Sequence, residues 1–246
     1  MRKISISVFF PAYGDEGSIE KIVTDTLKIL PSISENYEVI VVDDCSPDRS
    51  GEIADRLAKK HTQVKAIHHK KNQGYGGALK SGIKASTKEW IFYTDGDAQY
   101  DVNELALLVE KLNSEKKSGK KIDVVNGYKI SRADGWHRQI LGNMYNDFAR
   151  LLFGIKIRDI DCDFRLMRKD IFRNITLESD SGVICTEMVK KIQDAGYIFA
   201  EVPVHHYQRI SGKSQFFKIK RIIRVFRALA EQWIKLVLLK NKGGIN

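Results

Sequence analysis

Along this chain, short apolar runs alternate with stretches whose apolar residues recur at helical spacing. Ile4 to Phe10 is a β-rich run ending at Pro11, and from Ser18 to Leu30 the residues Ile19, Ile22, Val23, Leu27 and Leu30 share one helix face. Glu38 to Val42 is a continuous apolar strand that stops at Asp43-Asp44, and Ser50 to Lys60 resumes helical spacing through Ile53, Leu57 and Ala58. Val64 to His68 reads as a short strand, Gly74 to Ala85 as a loop leading into a helix, and Trp90 to Thr94 as a buried strand ending in acidic residues. A helix starts near Val102, Ser114 to Lys121 reads as a solvated linker, Ile122 to Asn126 as a strand and His137 to Phe153 as a helix. After Gly154 the pattern is less regular, and Phe216 to Lys240 is a long basic amphipathic segment. This alternation predicts an α/β fold with a mainly parallel sheet and helices on both faces.

At 246 residues the chain has room for one full α/β domain, expected over residues 1–215, with a basic tail over 216–246. Hydrophobic content of 43% and charged content of 29% belong to globular proteins rather than disordered ones. A net charge of +10 favours an anionic partner, whether a phosphorylated substrate, an acidic membrane surface or nucleic acid. Cys45, Cys162 and Cys185 stand far apart, so neither a zinc site nor a disulfide framework is indicated, and a cytoplasmic setting is expected. The first residues read as a strand rather than a signal peptide, and no run approaches the ~18 apolar residues of a membrane span.

Candidate chemistry gathers at strand ends, where open α/β sheets bind ligands. Pro11-Ala12-Tyr13, Asp43-Asp44 and Asp95-Gly96-Asp97 each follow a strand directly. Asp95 and Asp97, with Gln99 shortly after, supply the hard oxygen ligands that Mg²⁺ or Mn²⁺ shares with phosphates. The same residues also suit an Asx-type turn before a helix. The glycine run Gly74, Gly76, Gly77 fits neither dinucleotide nor Walker A patterns, because Leu79 and Ile83 occupy positions those patterns reserve for Gly and Lys. Its expected use is a tight turn that lets the next helix pack close to the site.

The segments ISVFFPAYGDEGSI, VVDDCSPDRS, NQGYGGALKSGIKAS, WIFYTDGDAQYD and EVPVHHYQRISGKS, in this order, resemble family 2 glycosyltransferases. They are most similar to the dolichol-phosphate mannosyltransferase and polyprenyl-phosphate glycosyltransferase branch, up to about Ser214. The resemblance implies a GT-A-type nucleotide-sugar-binding fold. It implies that Pro11, Tyr13 and Asp15 lie near base and ribose, Asp15 standing where that branch has Glu. Val42 and Asp44 match the base-binding strand end. Asp95, Gly96 and Asp97 match the diphosphate and metal motif, Asp97 being the ligand on which catalysis depends, and Gln99 matches a further metal ligand.

For the acceptor, the resemblance implies a polyprenyl phosphate (dolichyl or undecaprenyl), with a hexose donated by UDP- or GDP-sugar. Asp159 to Arg165 aligns with that branch's DxTSGFR segment, but Cys162 and Asp163 replace Ser and Gly. Candidate phosphate contacts are Lys129, Arg132, Arg138, Arg209, Lys213 and Ser214; Gln215 replaces the Lys that closes the branch's RxxGxSK motif. Transfer to a glycan hydroxyl is the alternative and needs a base, for which Glu187 is the candidate, with Asp161 or Asp163 behind it. In the C-terminal segment, Ile219, Ile222, Ile223, Phe226, Leu229, Trp233, Ile234 and Val237 form an apolar face opposite Lys220, Arg221, Arg224, Arg227 and Lys235. That pattern suits an enzyme held peripherally on the inner membrane face, or a helix docked on its own domain or on a second copy. Nucleic-acid binding has no accompanying motif and is not expected, and a non-catalytic nucleotide-sugar module is disfavoured by the intact acidic residues.

Overall fold

In the computed structural model, residues 3–132, 136–209 and 227–238 are described, with backbone alone for 131, 132, 136–143 and 145. Strands form where the apolar runs stand. In order, the elements are β1 (Ile4–Ala12), α1 (Ile19–Ile33), β2 (Ser34–Asp43), α2 (Ser50–Lys60), β3 (Val64–His68), α3 (Gly74–Ala85) and β4 (Trp90–Thr94). A 3-10 turn, Val102–Glu104, then leads into α4 (Leu105–Lys117), β5 (Val124–Arg132), α5 (Trp136–Phe153), β6 (Phe164–Arg168), α6 (Ile171–Asn174), α7 (Ile184–Asp194) and β7 (Phe199–His206).

The seven strands lie in the order β3-β2-β1-β4-β6-β5-β7. β1 pairs in parallel with β2 and β4, and β2 with β3, as the alternation predicts. β6 was not foreseen: it runs antiparallel between β4 and β5. Its sequence, FRLMR, carries a charged residue that is buried, so the apolar periodicity that marks the other strands is broken there. β5 also runs on to Arg132 through its parallel pairing with β7, and Ser114 to Lys117 closes α4 rather than opening a loop.

Side chains alternate between two cores because successive strand residues face opposite ways. Ile6, Val8 and Phe10 of β1 pack with Phe92 of β4 and with α1, α2 and α4. Phe9 and Tyr93 pack on the other face with Ala78 and Leu79 of α3 and Met188 and Ile192 of α7. Gly82 of α3 lies on Phe9, where a Cβ would enter the ring, so helix and strand approach as closely as the glycine reading requires.

A third cluster bears on the described part of the C-terminal segment, in line with the docked-helix alternative. Leu229 is buried with Ala149 and Phe153 of α5 and Val189 of α7, and Trp233, Leu236 and Val237 pack against them. The Trp233 indole donates to the Leu152 carbonyl at 2.8 Å. Helical residues 227–233 and the π-helical turn Ile234–Leu238 therefore dock on the domain; of the apolar face, Leu229, Trp233 and Val237 are packed against it, while Ile234 stays 46% exposed. Residues 216–226, 239 and 240 of that segment, and the expected boundary at 215/216, lie outside the described residues.

Away from the strand ends that face the loops discussed below, Glu38 is buried and ties three elements together. One carboxylate oxygen accepts from the Ser7 hydroxyl and from the backbone N–H and hydroxyl of Thr87, each at 2.7 Å, and the other pairs with Lys65 at 2.7 Å. Burial alone would raise its pKa, but these donors hold the charged form and bring it from 4.5 down to about 2. A depressed acid contributes stability above its unfolded pKa and loses it as pH falls through the folded one. Glu38→Gln is expected to destabilise the fold by about 1–3 kcal/mol at neutral pH. Urea midpoints taken from neutrality downward should show that gap closing below about pH 4.5, and a gap independent of pH would contradict the assignment.

Candidate active site

Loops following β1, β2, β3 and β4 converge at one end of the sheet. The β1 loop is laced to its neighbours by backbone groups: Gly96 N–H donates to Pro11 O at 3.2 Å, the Ser18 hydroxyl to Gly96 O at 2.8 Å, and Asp15 N–H to the Ser50 hydroxyl at 2.9 Å. Gly96 suits this crossing, where a Cβ would stand a tight 3.1 Å from Pro11 O. Asp15 accepts from Tyr13 N–H at 2.9 Å and is buried behind the loop. Burial, with the nearby Asp97 charge adding to it, raises its pKa to about 6. The Tyr13 ring itself is 49% exposed at the rim, open to stacking on a planar ligand.

The acidic pair closes the loop after β4. Asp95 accepts from the Tyr75 hydroxyl at 2.7 Å, and its pKa stands well above the carboxylate range, through burial first and then the charges of Asp163 and Asp97. Asp97, almost fully buried, accepts from Gln99 N–H at 3.0 Å and pairs with Arg209 at 2.6 Å. Asp95, Asp97, Asp15 and Asp163 lie near one another, and the charges of Asp163, Asp97 and Asp15 each add to the rise in the Asp95 pKa, a repulsion that a cation would relieve. Hard oxygens and unneutralised charge fit Mg²⁺ or Mn²⁺. Among the described residues no three His, Cys, Asp or Glu side chains converge to hold an ion by themselves, so phosphate and water oxygens would complete the shell.

Several expected residues are placed differently by the fold. Gln99 does not join the acidic pair: its side-chain amide donates to Tyr207 O at 3.0 Å, while Tyr207 N–H donates back to Gln99 O at 2.7 Å. This extension of β7 is what carries Arg209 to Asp97. The Val42 side chain is core, packed with Phe9 and Leu79, so only its backbone borders the site. Asp44 acts as a clamp. Its carboxylate accepts from Gln73 N–H at 2.7 Å and Gly74 N–H at 2.9 Å, and it meets His69 Nδ1 at 2.6 Å while His69 Nε2 meets the Ser81 hydroxyl at 2.8 Å. It fixes the start of α3, one helix later than the cap role its position after β2 suggests.

Of the acceptor candidates, Lys129 is only 6% exposed and is spent on the following loop, donating to Asp161 O at 2.8 Å and pairing with Asp159 at 3.5 Å. Arg132 ends β5 and Arg138 lies in α5, both described by backbone alone; Lys213 and Ser214 lie outside the described residues. Arg209 is the candidate that the fold brings to the acidic pair.

Glu187, the expected base, is fully buried and saturated. It accepts from Glu178 N–H and Ser179 N–H, each at 2.9 Å, and pairs with Lys191 at 2.7 Å. Its work is to hold segment 178–179. Asp163 is better placed: half-buried, it accepts from the Tyr93 hydroxyl at 3.3 Å and Cys185 at 3.2 Å, and it is close enough to Asp95 to raise its pKa.

Tyr75 and the role of Arg165 were not legible in the sequence. Arg165 is fully buried, donating to Asn126 at 2.5 Å, Tyr93 at 3.2 Å and Ile160 O at 3.1 Å. Its place in the DCDFR stretch is the one signal that could have marked it. For Tyr75 the signal is a lone aromatic between two glycines.

The family model described as "Glycosyl transferase family 2" matches residues 7–176. Glycosyltransferase AglD of Haloferax volcanii is 27% identical over 249 residues, covering 96% of this chain; the chain spans only 38% of that relative's length. Among solved structures, glucosyl-3-phosphoglycerate synthase from Mycobacterium tuberculosis with Mn²⁺, UDP and phosphoglyceric acid matches with a TM-score of 0.65 at 16% identity, over 94% of this chain and 78% of that one. The same synthase with Mg²⁺ and UDP matches with a TM-score of 0.63 at 16% identity, over 94% and 79%. These likenesses show the fold as GT-A.

From the carboxylate's saturation, Glu187→Gln is expected to cost about 1–3 kcal/mol in stability, because two backbone N–H groups and Lys191 lose a charged acceptor. Thermal melts beside turnover check this; an unchanged melting point with turnover lost by orders of magnitude would restore Glu187 as a base.

Proposed function

The chain belongs to glycosyl transferase family 2 and is a glycosyltransferase; from that premise we propose that it moves a hexose from a UDP- or GDP-sugar to a polyprenyl phosphate. One observation carries this reading: the Asp95–Asp97 pair at the end of β4 meets, through Asp97, the arginine of the RISGKS stretch at 2.6 Å. An acidic pair able to hold a metal diphosphate and an arginine able to hold a second phosphate are adjacent there, which supports this reading. Asp95 and Asp97 would hold Mg²⁺ or Mn²⁺ beside the donor diphosphate, where the ion would supply positive charge against the departing group. Tyr13 would stack on the base at the rim, and Asp15 and the β1 loop would border the ribose. Arg209, beside Asp97, would offer its paired N–H groups to phosphate. A phosphate acceptor is ionised near neutral pH, so positioning rather than proton abstraction lowers the barrier. The M. tuberculosis synthase, seen with UDP and phosphoglyceric acid, provides a related example of a GT-A fold with a phosphate-bearing small molecule.

The alternative is transfer to a hydroxyl. What favours it is the half-buried Asp163 beside Asp95, a carboxylate free of the saturation that removes Glu187 and standing where the polyprenyl-phosphate branch carries Gly. A short polyprenyl phosphate offered with a panel of UDP- and GDP-sugars decides the matter. Product with the lipid phosphate, abolished in Asp97→Asn and retained within about tenfold in Asp163→Asn, is the expected result. Activity with hydroxyl acceptors alone, lost by about a hundredfold or more in Asp163→Asn, would replace the leading reading.

A lipid acceptor calls for contact with a membrane surface, and no described helix is long and apolar enough to cross one. The docking of Trp233 moves that contact to α5, where Met144, Phe148 and Leu151 are 63%, 50% and 85% exposed on one helix face. Exposed Lys156 and Arg158 follow the helix, suited to anionic headgroups. Phe148→Glu with Leu151→Glu should abolish sedimentation with anionic liposomes at an unchanged melting point, whereas Trp233→Glu should lower the melting point. Sedimentation equal to the parent's in the α5 double variant would exclude this face.

A further inference from the structure

The first turn of α3 is wedged between two fixed partners. On one side Asp44 grips the Gln73 and Gly74 N–H groups. On the other, Gly76 N–H donates to Asp180 O at 3.0 Å, and a Cβ on Gly74 or Gly76 would collide with the carbonyl oxygens of Asp180 and Ser179. Segment 178–179 is in turn held by the buried Glu187 carboxylate, anchored from α7. Tyr75, between the two glycines, has little freedom left at its backbone. Its hydroxyl donates to Asp95 Oδ1 at 2.7 Å.

We infer that Tyr75 is the positioning residue for Asp95: its hydroxyl fixes the rotation of that carboxylate. A carboxylate held at one oxygen presents the other in a set direction, which is how outer partners of metal ligands raise affinity. Without the hydroxyl, Asp95 Oδ1 loses its donor and the carboxylate is free to rotate. The glycines, Asp44 and Glu187 are then parts of one support whose output is the orientation of a single ligand. This rests on the reading of Asp95 as a ligand of the ion and diphosphate.

The test uses the whole chain and Mn²⁺ as the probe, with free Mn²⁺ followed by electron paramagnetic resonance in the presence of UDP or GDP. Tyr75→Phe keeps the ring and is expected to weaken Mn²⁺ about tenfold at an unchanged melting point, with a matching loss in kcat/KM. Two further chains carry 4-aminophenylalanine or 4-methylphenylalanine at position 75. The first keeps a donor at the same reach and should recover parent-like Mn²⁺ binding; the second keeps only the length and should not. This pair decides the matter even if Tyr75→Phe folds poorly. Equal Mn²⁺ binding by the parent and Tyr75→Phe, or by the two analogues, overturns the inference and leaves the donor site standing. A parent chain that binds Mn²⁺ with neither nucleotide overturns the donor site and the inference together.

Discussion

Crowding of carboxylates at the carboxyl ends of β1 and β4 is the constraint around which the rest is arranged. Asp15, Asp95, Asp97 and Asp163 lie close enough that each disturbs another, and burial denies them the water that would screen the repulsion. Such a cluster persists only if the surrounding fold is stiff and supplies compensating groups. Arg209 offsets Asp97, the Tyr75 hydroxyl serves Asp95, and the buried Arg165 lowers the cost of Asp163. The charge left over is what a divalent ion and its phosphates can use.

Stiffness comes from backbone groups rather than from side-chain pairs. Gly96 lets the β4 loop cross the β1 loop, and Gly74 and Gly76 let α3 press on the 179–180 backbone. A Cβ would collide outright at Gly74 and Gly76 and be tight at Gly96, so these glycines mark where chain segments meet closely. Asp44 and Glu187 are the charged fasteners of this framework. Both accept two backbone N–H groups, which holds a carboxylate in one orientation and commits it to structure.

The same logic separates the apolar surfaces. Leu229, Trp233 and Val237 pack against α5 and α7, while Met144, Phe148 and Leu151 of α5 are exposed among the described residues. One helix is thus pinned from within by the C-terminal segment and left apolar without.

By itself the sequence determined the alternation of strands and helices, the parallel half of the sheet and the convergence of Pro11–Asp15, Asp44 and Asp95–Asp97 at one end, because period and strand-end position are local properties. It also carried the family, through ordered motifs over residues 7–176. What it could not determine was which of two chemically equal uses each polar residue serves. Glu187 and Asp163 are both acids near the resemblance's catalytic positions, yet only folding shows one saturated by N–H groups and the other facing Asp95. Lys129 and Arg209 are both cations of the acceptor set, yet one is spent on Asp159 and the other reaches Asp97 across 112 residues of chain. The antiparallel β6, hidden by its buried Arg165, and the inward face of Trp233 belong to the same class. In each case the deciding partner is distant in sequence, so the choice is made by packing, where burial and hydrogen-bond saturation fix a side chain's role.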